Sequence, residues 1–253
     1  MPTRGLTSQE QVIISTIDQK RAAAQAAIDE VVAGMVVGLG SGTTVAEAIL
    51  LLGDRVAGGL RITAVATSRA TAVLARCASI PLVDFADHTT VDLVIDGVDE
   101  IDPAFRAIKG AGGAMLREKV VGAAAIRMIA IADASKQVAR LGTRPLPVEV
   151  LPFAFSFVAS ALADLGLVAA LRSTGAKPYM TDQENWILDC TGGDLSQPDA
   201  LAASIAAIPG VLGHGLFLCE IDALYVAGRD GDVARDERSS LQSHAPLLGD
   251  SRS

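Results

Sequence analysis

The chain has 253 residues, half of them hydrophobic, with a mean hydropathy of +0.40. At ~150 residues per domain that is one large domain or two modest ones with a sizeable core, and it excludes a disordered or low-complexity protein. Acidic residues outnumber basic ones 29 to 21, for a net charge of −8. Such a chain repels phosphate backbones and anionic lipid, so no nucleic-acid or membrane partner is expected, while a small anionic substrate stays open.

Residues 8–33 read as a helix that stops at Gly34. A short apolar run, MVVGL (35–39), is followed by GSGTT and then by the apolar-periodic VAEAILLL, which predicts strand, tight loop, helix. RITAVA (61–66) predicts a second strand, followed by Thr67-Ser68 and a helix. VDLVI (91–95) predicts a third strand running into DGVDEID, and RMIAIA (127–132) a fourth running into DASK. Apolar strands alternating with helices indicate βαβ units and a parallel sheet covered on both faces.

After Leu141, TRPLPVEVLP carries three prolines and reads as a domain junction. Beyond it a helix (153–165), a strand (167–172), a strand pair (177–190), a helix (199–207) and strands at 211–218 and 222–227 suggest a small α+β unit. From Arg229 on the sequence is polar and aperiodic, and it reads as a mobile, dispensable tail. The apolar segment Leu151–Leu171 is opened by Pro152 and interrupted by Asp164 and Gly166. Its helix of ~13 residues, ~20 Å, is too short for a bilayer core of ~30 Å.

Cys77, Cys190 and Cys219 are far apart with no CxxC, which fits a reducing, cytoplasmic compartment. His88, His214 and His244 are scattered, so no metal site is expected, and the N-terminus has no apolar signal core.

Four strand ends carry polar or acidic residues: Ser41–Thr44, Thr67-Ser68, Asp96 with Asp99 and Glu100, and Asp133 with Lys136. Ligands of open parallel sheets bind at that edge. GLGSGTT lacks the lysine of a Walker A loop, and Thr43 replaces the third glycine of G-x-G-x-x-G. A glycine-hinged turn with hydroxyls at a helix N-terminus suits a phosphate monoester or is an ordinary helix cap. DGVDEID places four carboxylates in seven residues, either as a solvated acidic turn or as acids managed by a cation, for which Lys109 is the candidate. Glu118, in KGAGGAMLREK, is either a solvated helix position between Arg117 and Lys119 or a general base in a water-poor pocket.

The motifs GLGSGTTVAEAI, DLVIDGVDEID, KGAGGAMLREKVV, IADASKQV, PLPVEV and TDQENWILD, in this order, resemble those of the type A ribose-5-phosphate isomerases from about residue 15 to 228. The resemblance implies a Rossmann-like α/β catalytic domain (1–141 with 214–230) and a smaller α+β, ferredoxin-like domain (142–213), with 231–253 as the tail. It implies isomerisation of ribose 5-phosphate to ribulose 5-phosphate through an enediolate, no cofactor, and a homodimer or larger homo-oligomer. Asp96, Asp99, Lys109 and Glu118 would be the catalytic group, with Glu118 the base and an aspartate opening the sugar ring. Ser41, Gly42, Thr43 and Thr44 would hold the phosphate or sugar end, with Lys20 and Lys136 contacting the substrate. Lys109 and the N–H groups of Gly110, Ala111, Gly112 and Gly113 would stabilise the oxyanion. Ala111 and Glu184 depart from the family's usual glycines. Two other readings stay in view: a sugar-phosphate sensor, which would need no base, and a nucleotide-dependent oxidoreductase, which the defective fingerprint at Thr43 disfavours.

Overall fold

The computed structural model describes residues 8–228 and 232–239. Six strands form the main sheet: β1 (Val36–Leu39), β2 (Thr63–Ala66), β3 (Val91–Gly97), β6 (Ala125–Asp133), β14 (Ala223–Ala227) and β15 (Val233–Glu237), in the order β15-β14-β6-β3-β1-β2. All neighbours are parallel except β15, which runs antiparallel to β14. Because side chains alternate along a strand, Leu93 and Ile95 face one layer and Val94 the other. The first layer is closed by α1 (Ser8–Ile28) and α2 (Thr43–Ala57), and the second by α4 (Met115–Ala123). The helix α3 (Arg69–Cys77) connects β2 to β3. A three-stranded sheet of β4 (Glu100–Ile101), β5 (Ala107–Ile108) and β13 (Leu216–Phe217) sits between the main sheet and the rest.

The second unit is β7 (Leu146–Val150), α5 (Phe155–Asp164), β8 (Leu167–Leu171), β11 (Trp186–Gly192), α6 (Pro198–Ala206) and β12 (Val211–His214), with the hairpin β9 (Ser173–Thr174) and β10 (Lys177–Pro178) between β8 and β11. Its sheet order is β12-β7-β11-β8, all antiparallel, the split β-α-β layout of a ferredoxin-like fold. Val148, Val150, Leu188 and Leu162 pack in its core. No helix among the described residues is long and apolar enough to cross a membrane, and α5 spans only 10 residues of the apolar segment.

One expectation gains detail here and one is corrected. The proline-rich stretch at 143–152, read as a domain junction, is not irregular: Leu146–Val150 within it is a fully buried strand paired on both sides. Pro147 is accommodated because its carbonyl accepts from Gly215 just where β12 ends, so its missing N–H faces a break in the ladder. The tail is not uniformly unstructured either. Val233–Glu237 pairs with β14 along its whole length, Glu237 ion-pairs with Arg127 at 2.7 Å, and Arg238 donates to the carbonyls of Leu218, Ile221 and Phe105. A strand exposed over four of its five residues reads as polar and aperiodic, which hid it. Residues 240–253 lie outside the described residues.

Candidate active site

Connections leaving β1 and β3, which are neighbours, go to opposite sides of the sheet. Such a switch point leaves a crevice beyond the strand ends, and here it is a cleft of about 1060 Å³. The ends of β1, β3 and β6 contribute Ser41–Thr44, Gly97–Asp99 and Asp133–Lys136; α1 contributes Thr16, Gln19 and Lys20. The stretch after β5 adds Lys109–Gly112, and the first turn of α4 adds Glu118.

A cation holds the floor of the cleft together. Lys109, 3% exposed, lies with its Nζ 3.0 Å from Asp96 Oδ2 and 3.1 Å from Glu118 Oε2, and it donates to the Gly97 carbonyl. Three acceptors within reach match the three donors of an ammonium. Lys109 therefore meets the cleft as a positive charge behind the two carboxylates. Asp96 Oδ1 accepts from the backbone N–H groups of Ser41 (3.2 Å) and Gly97 (2.7 Å). Position 40 must be glycine, because a Cβ there would lie 1.9 Å from Asp96 Oδ1. Ser41 Oγ donates to Glu118 Oε1 at 2.5 Å.

Burial raises the Asp96 carboxyl to about 7, helped by the charge of Glu118 and opposed by Lys109. Burial works against the Lys109 charge, but Asp96 and Glu118 overcome it and hold the ammonium above the usual lysine range. Two carboxylates on one cation thus leave Asp96 as the acid that shares a proton near neutrality.

The rim has the opposite character. Gly42 is the N-cap of helix α2; its φ of 95° is open to glycine and costly for other residues, and no side chain caps the helix. The helix-cap alternative thus gives way to a helix N-terminus whose first N–H groups have no side-chain partner. Lys20 Nζ donates to Thr43 Oγ1 at 2.9 Å, placing a cation over that terminus, and Lys136 lies on the same cleft.

Of the expected residues, Lys20, Ser41, Gly42, Thr43, Thr44, Asp99, Lys109, Gly110, Ala111, Gly112, Glu118 and Lys136 line one cleft, with Asp96 fully buried beneath it. Gly113 does not line it: its N–H bonds to the Gly110 carbonyl, and Tyr179 covers its α-carbon. The Ala111 N–H is committed to Asp99 Oδ2 at 2.9 Å, so two of the four loop N–H groups are spent inside the protein. Thr67-Ser68 is not part of the site. Thr67 Oγ1 donates to the Leu39 carbonyl and Ser68 caps α3, because β2 is an edge strand beyond the switch point. Glu100 turns away and accepts from the 142–144 backbone and Thr143, while Asp102 pairs with Arg106. Thr16 and Gln19 escaped the sequence reading; Thr16 lies three residues before Gln19 and four before Lys20 on α1, spacings that make it a neighbour of both, and all three line the cleft.

A buried carboxylate held by one cation, below an anion-receptive rim, defines a class: an α/β protein whose cleft is arranged for acid–base chemistry on a small anion. The comparisons with known proteins narrow it. The family model for ribose 5-phosphate isomerase A (phosphoriboisomerase A) matches residues 63–231. Ribose-5-phosphate isomerase A of Sphingopyxis alaskensis is 53% identical over 214 residues, covering 85% of this chain and 94% of that protein. The solved ribose 5-phosphate isomerase A of Methanocaldococcus jannaschii has 35% identity and a TM-score of 0.83, covering 87% of this chain and 98% of that one. A D-ribose-5-phosphate isomerase solved in complex with phospho-erythronic acid has 33% identity and a TM-score of 0.84, with the same coverage. The chain belongs to the ribose 5-phosphate isomerase A family.

Proposed function

We propose that the cleft interconverts D-ribose 5-phosphate and D-ribulose 5-phosphate through a cis-enediolate. The observation that carries this reading is Glu118. It is 2% exposed, it lines the cleft, and it is fixed by Ser41 and Lys109. In the open aldose, Glu118 takes the C2 proton and the electrons form the enediolate with its charge on O1; a proton then passes from the C2 hydroxyl to O1, and the same carboxyl returns its proton to C1 as the C2 carbonyl forms. Only one face of the sugar is needed, so one base suffices. Lys109 supplies a nearby positive charge as the enediolate oxygen becomes negative.

Ring opening falls to Asp99, since it lines the cleft while Asp96 is enclosed and holds Lys109. The phosphate sits at the α2 N-terminus with Thr43, Thr44, Lys20 and Lys136, where backbone N–H groups and ammonium groups converge. Ser41 serves the base rather than the phosphate, because its hydroxyl donates to Glu118 and its N–H to Asp96.

The reading also includes a catalytic unit of residues 1–141 with 214–230 and a second unit of 142–213. It includes a cytoplasmic location, supported by free thiols at Cys77, Cys190 and Cys219. A homodimer or larger homo-oligomer is supported by apolar exposure at Leu151, Phe153 and Phe157, with Phe153 wholly exposed. The direct test is incubation of the purified chain with ribose 5-phosphate in the presence of chelator. Ribulose 5-phosphate should form at an enzyme-dependent rate. Substrate bound without turnover would favour a sensor and overturn the reading.

A further inference from the structure

The loop that follows Lys109 is gripped from the other unit. Arg172, just after β8, forms a two-point pair with Asp189 of the neighbouring strand β11, Nε to Oδ2 at 2.9 Å and Nη2 to Oδ1 at 2.5 Å. Its remaining Nη1 donates to the carbonyls of Gly110 (2.9 Å) and Ala111 (3.1 Å). Tyr179, whose ring centroid is 5.7 Å from the guanidinium carbon, donates its hydroxyl to the Gly112 carbonyl at 3.2 Å. Three consecutive loop carbonyls are thereby drawn to the second unit.

The same peptide has a second end. The unit joining Gly110 to Ala111 gives its carbonyl to Arg172 and its N–H to Asp99 Oδ2. A peptide is planar, so fixing the carbonyl fixes the direction of the N–H, and a charged donor on the carbonyl polarises the N–H toward the carboxylate. We infer that Arg172, oriented by Asp189, is a positioning residue for the isomerase reaction, which sets the Gly110–Gly112 loop and through it the aim of Asp99 at the substrate. The second unit is then part of the catalytic apparatus although no residue of it lines the cleft. The guanidinium is required as such: its planar fork holds a carboxylate with two nitrogens and loop carbonyls with a third, which a lysine ammonium cannot reproduce.

This inference rests on the isomerase reading, and its test keeps the two apart. Parent, Arg172→Ala, Arg172→Lys and Asp189→Asn chains are compared for thermal melting, kcat and KM with ribose 5-phosphate. The Arg172 variants should lose kcat on the order of 10²-fold, the scale expected when a catalytic group is misplaced, with KM changed far less because the phosphate contacts are remote. Asp189→Asn should lose less. Added methylguanidinium should restore part of the kcat of a folded Arg172→Ala chain and do nothing for Arg172→Lys, a response that a merely structural role would not give. A folded Arg172→Ala chain with parent kcat overturns the inference, as does a loss of activity that follows the loss of folded protein and is not rescued. A parent chain that does not turn over ribose 5-phosphate instead overturns the isomerase reading.

Discussion

Asp96 shows how one residue's surroundings set its chemistry. Its carboxyl is fully buried, and burial, then Glu118, push it from its ordinary 3.8 up to about 7. A group that binds its proton more tightly when folded stabilises the fold fully below its unfolded value, and that contribution is lost as pH rises through the folded value. The stability of the parent relative to Asp96→Asn should therefore decline between about pH 4 and 7 and level off above. Urea midpoints of both chains across that range check it, and a difference that rises with pH would contradict it. The spacing of DGVDEID announced four acids without separating them, and the family resemblance singled out Asp96 and Asp99. The folded register sends Asp96 to Lys109, Asp99 to the Ala111 N–H, Glu100 to the 142–144 backbone and Asp102 to Arg106. The two departures from the family's glycines differ in the same way. Ala111 has no positive φ and fits without strain, whereas Glu184 carries a φ of 64° in its turn, a conformation that costs a side-chain-bearing residue.

Among the elements, the α2 N-terminus and its neighbour Ser41 divide the work between binding and chemistry. Lys20→Ala and Thr44→Ala should each raise KM for ribose 5-phosphate by about tenfold, the effect of losing a charged hydrogen bond of ~1.5 kcal/mol. Ser41→Ala should act chiefly on kcat, since the hydroxyl it removes holds Glu118. Steady-state kinetics separate the two, and a Ser41→Ala chain that changes KM alone would return Ser41 to the phosphate. The glycine-hinged loop was legible because a strand, a polar turn and a periodic helix follow each other in the sequence. The strand β15 was not, because four of its five residues are exposed and leave no apolar alternation to read. Its ties to β14, Arg127 and the carbonyls around Arg238 predict that a chain ending at 231 is less stable than one ending at 239 by on the order of 2 kcal/mol. Equal melting of the two chains would show that the strand contributes nothing.

For the molecule as a whole, the alternation of strand and helix was enough to foresee a parallel sheet with its ligand edge at the carboxyl ends, because buried parallel strands are written as continuous apolar runs. What composition and spacing did not carry were the contacts that cross between units, such as Arg172 with the Gly110–Ala111 backbone or Asp182 with the Arg69 N–H. Those depend on three-dimensional register rather than on local pattern. All of it converges on one carboxylate in one cleft. The most direct measurement follows the substrate's C2 proton by NMR in deuterated solvent, for the parent and for Glu118→Gln, which keeps the side chain's size but cannot accept the proton. Exchange in the parent should be enzyme-dependent, and in the variant exchange and turnover should fall together by ~10²–10⁴-fold, the loss expected for a positioned general base, with substrate binding little changed. Exchange that persists near the parent rate while turnover collapses would contradict the account and move the base from Glu118 to an aspartate.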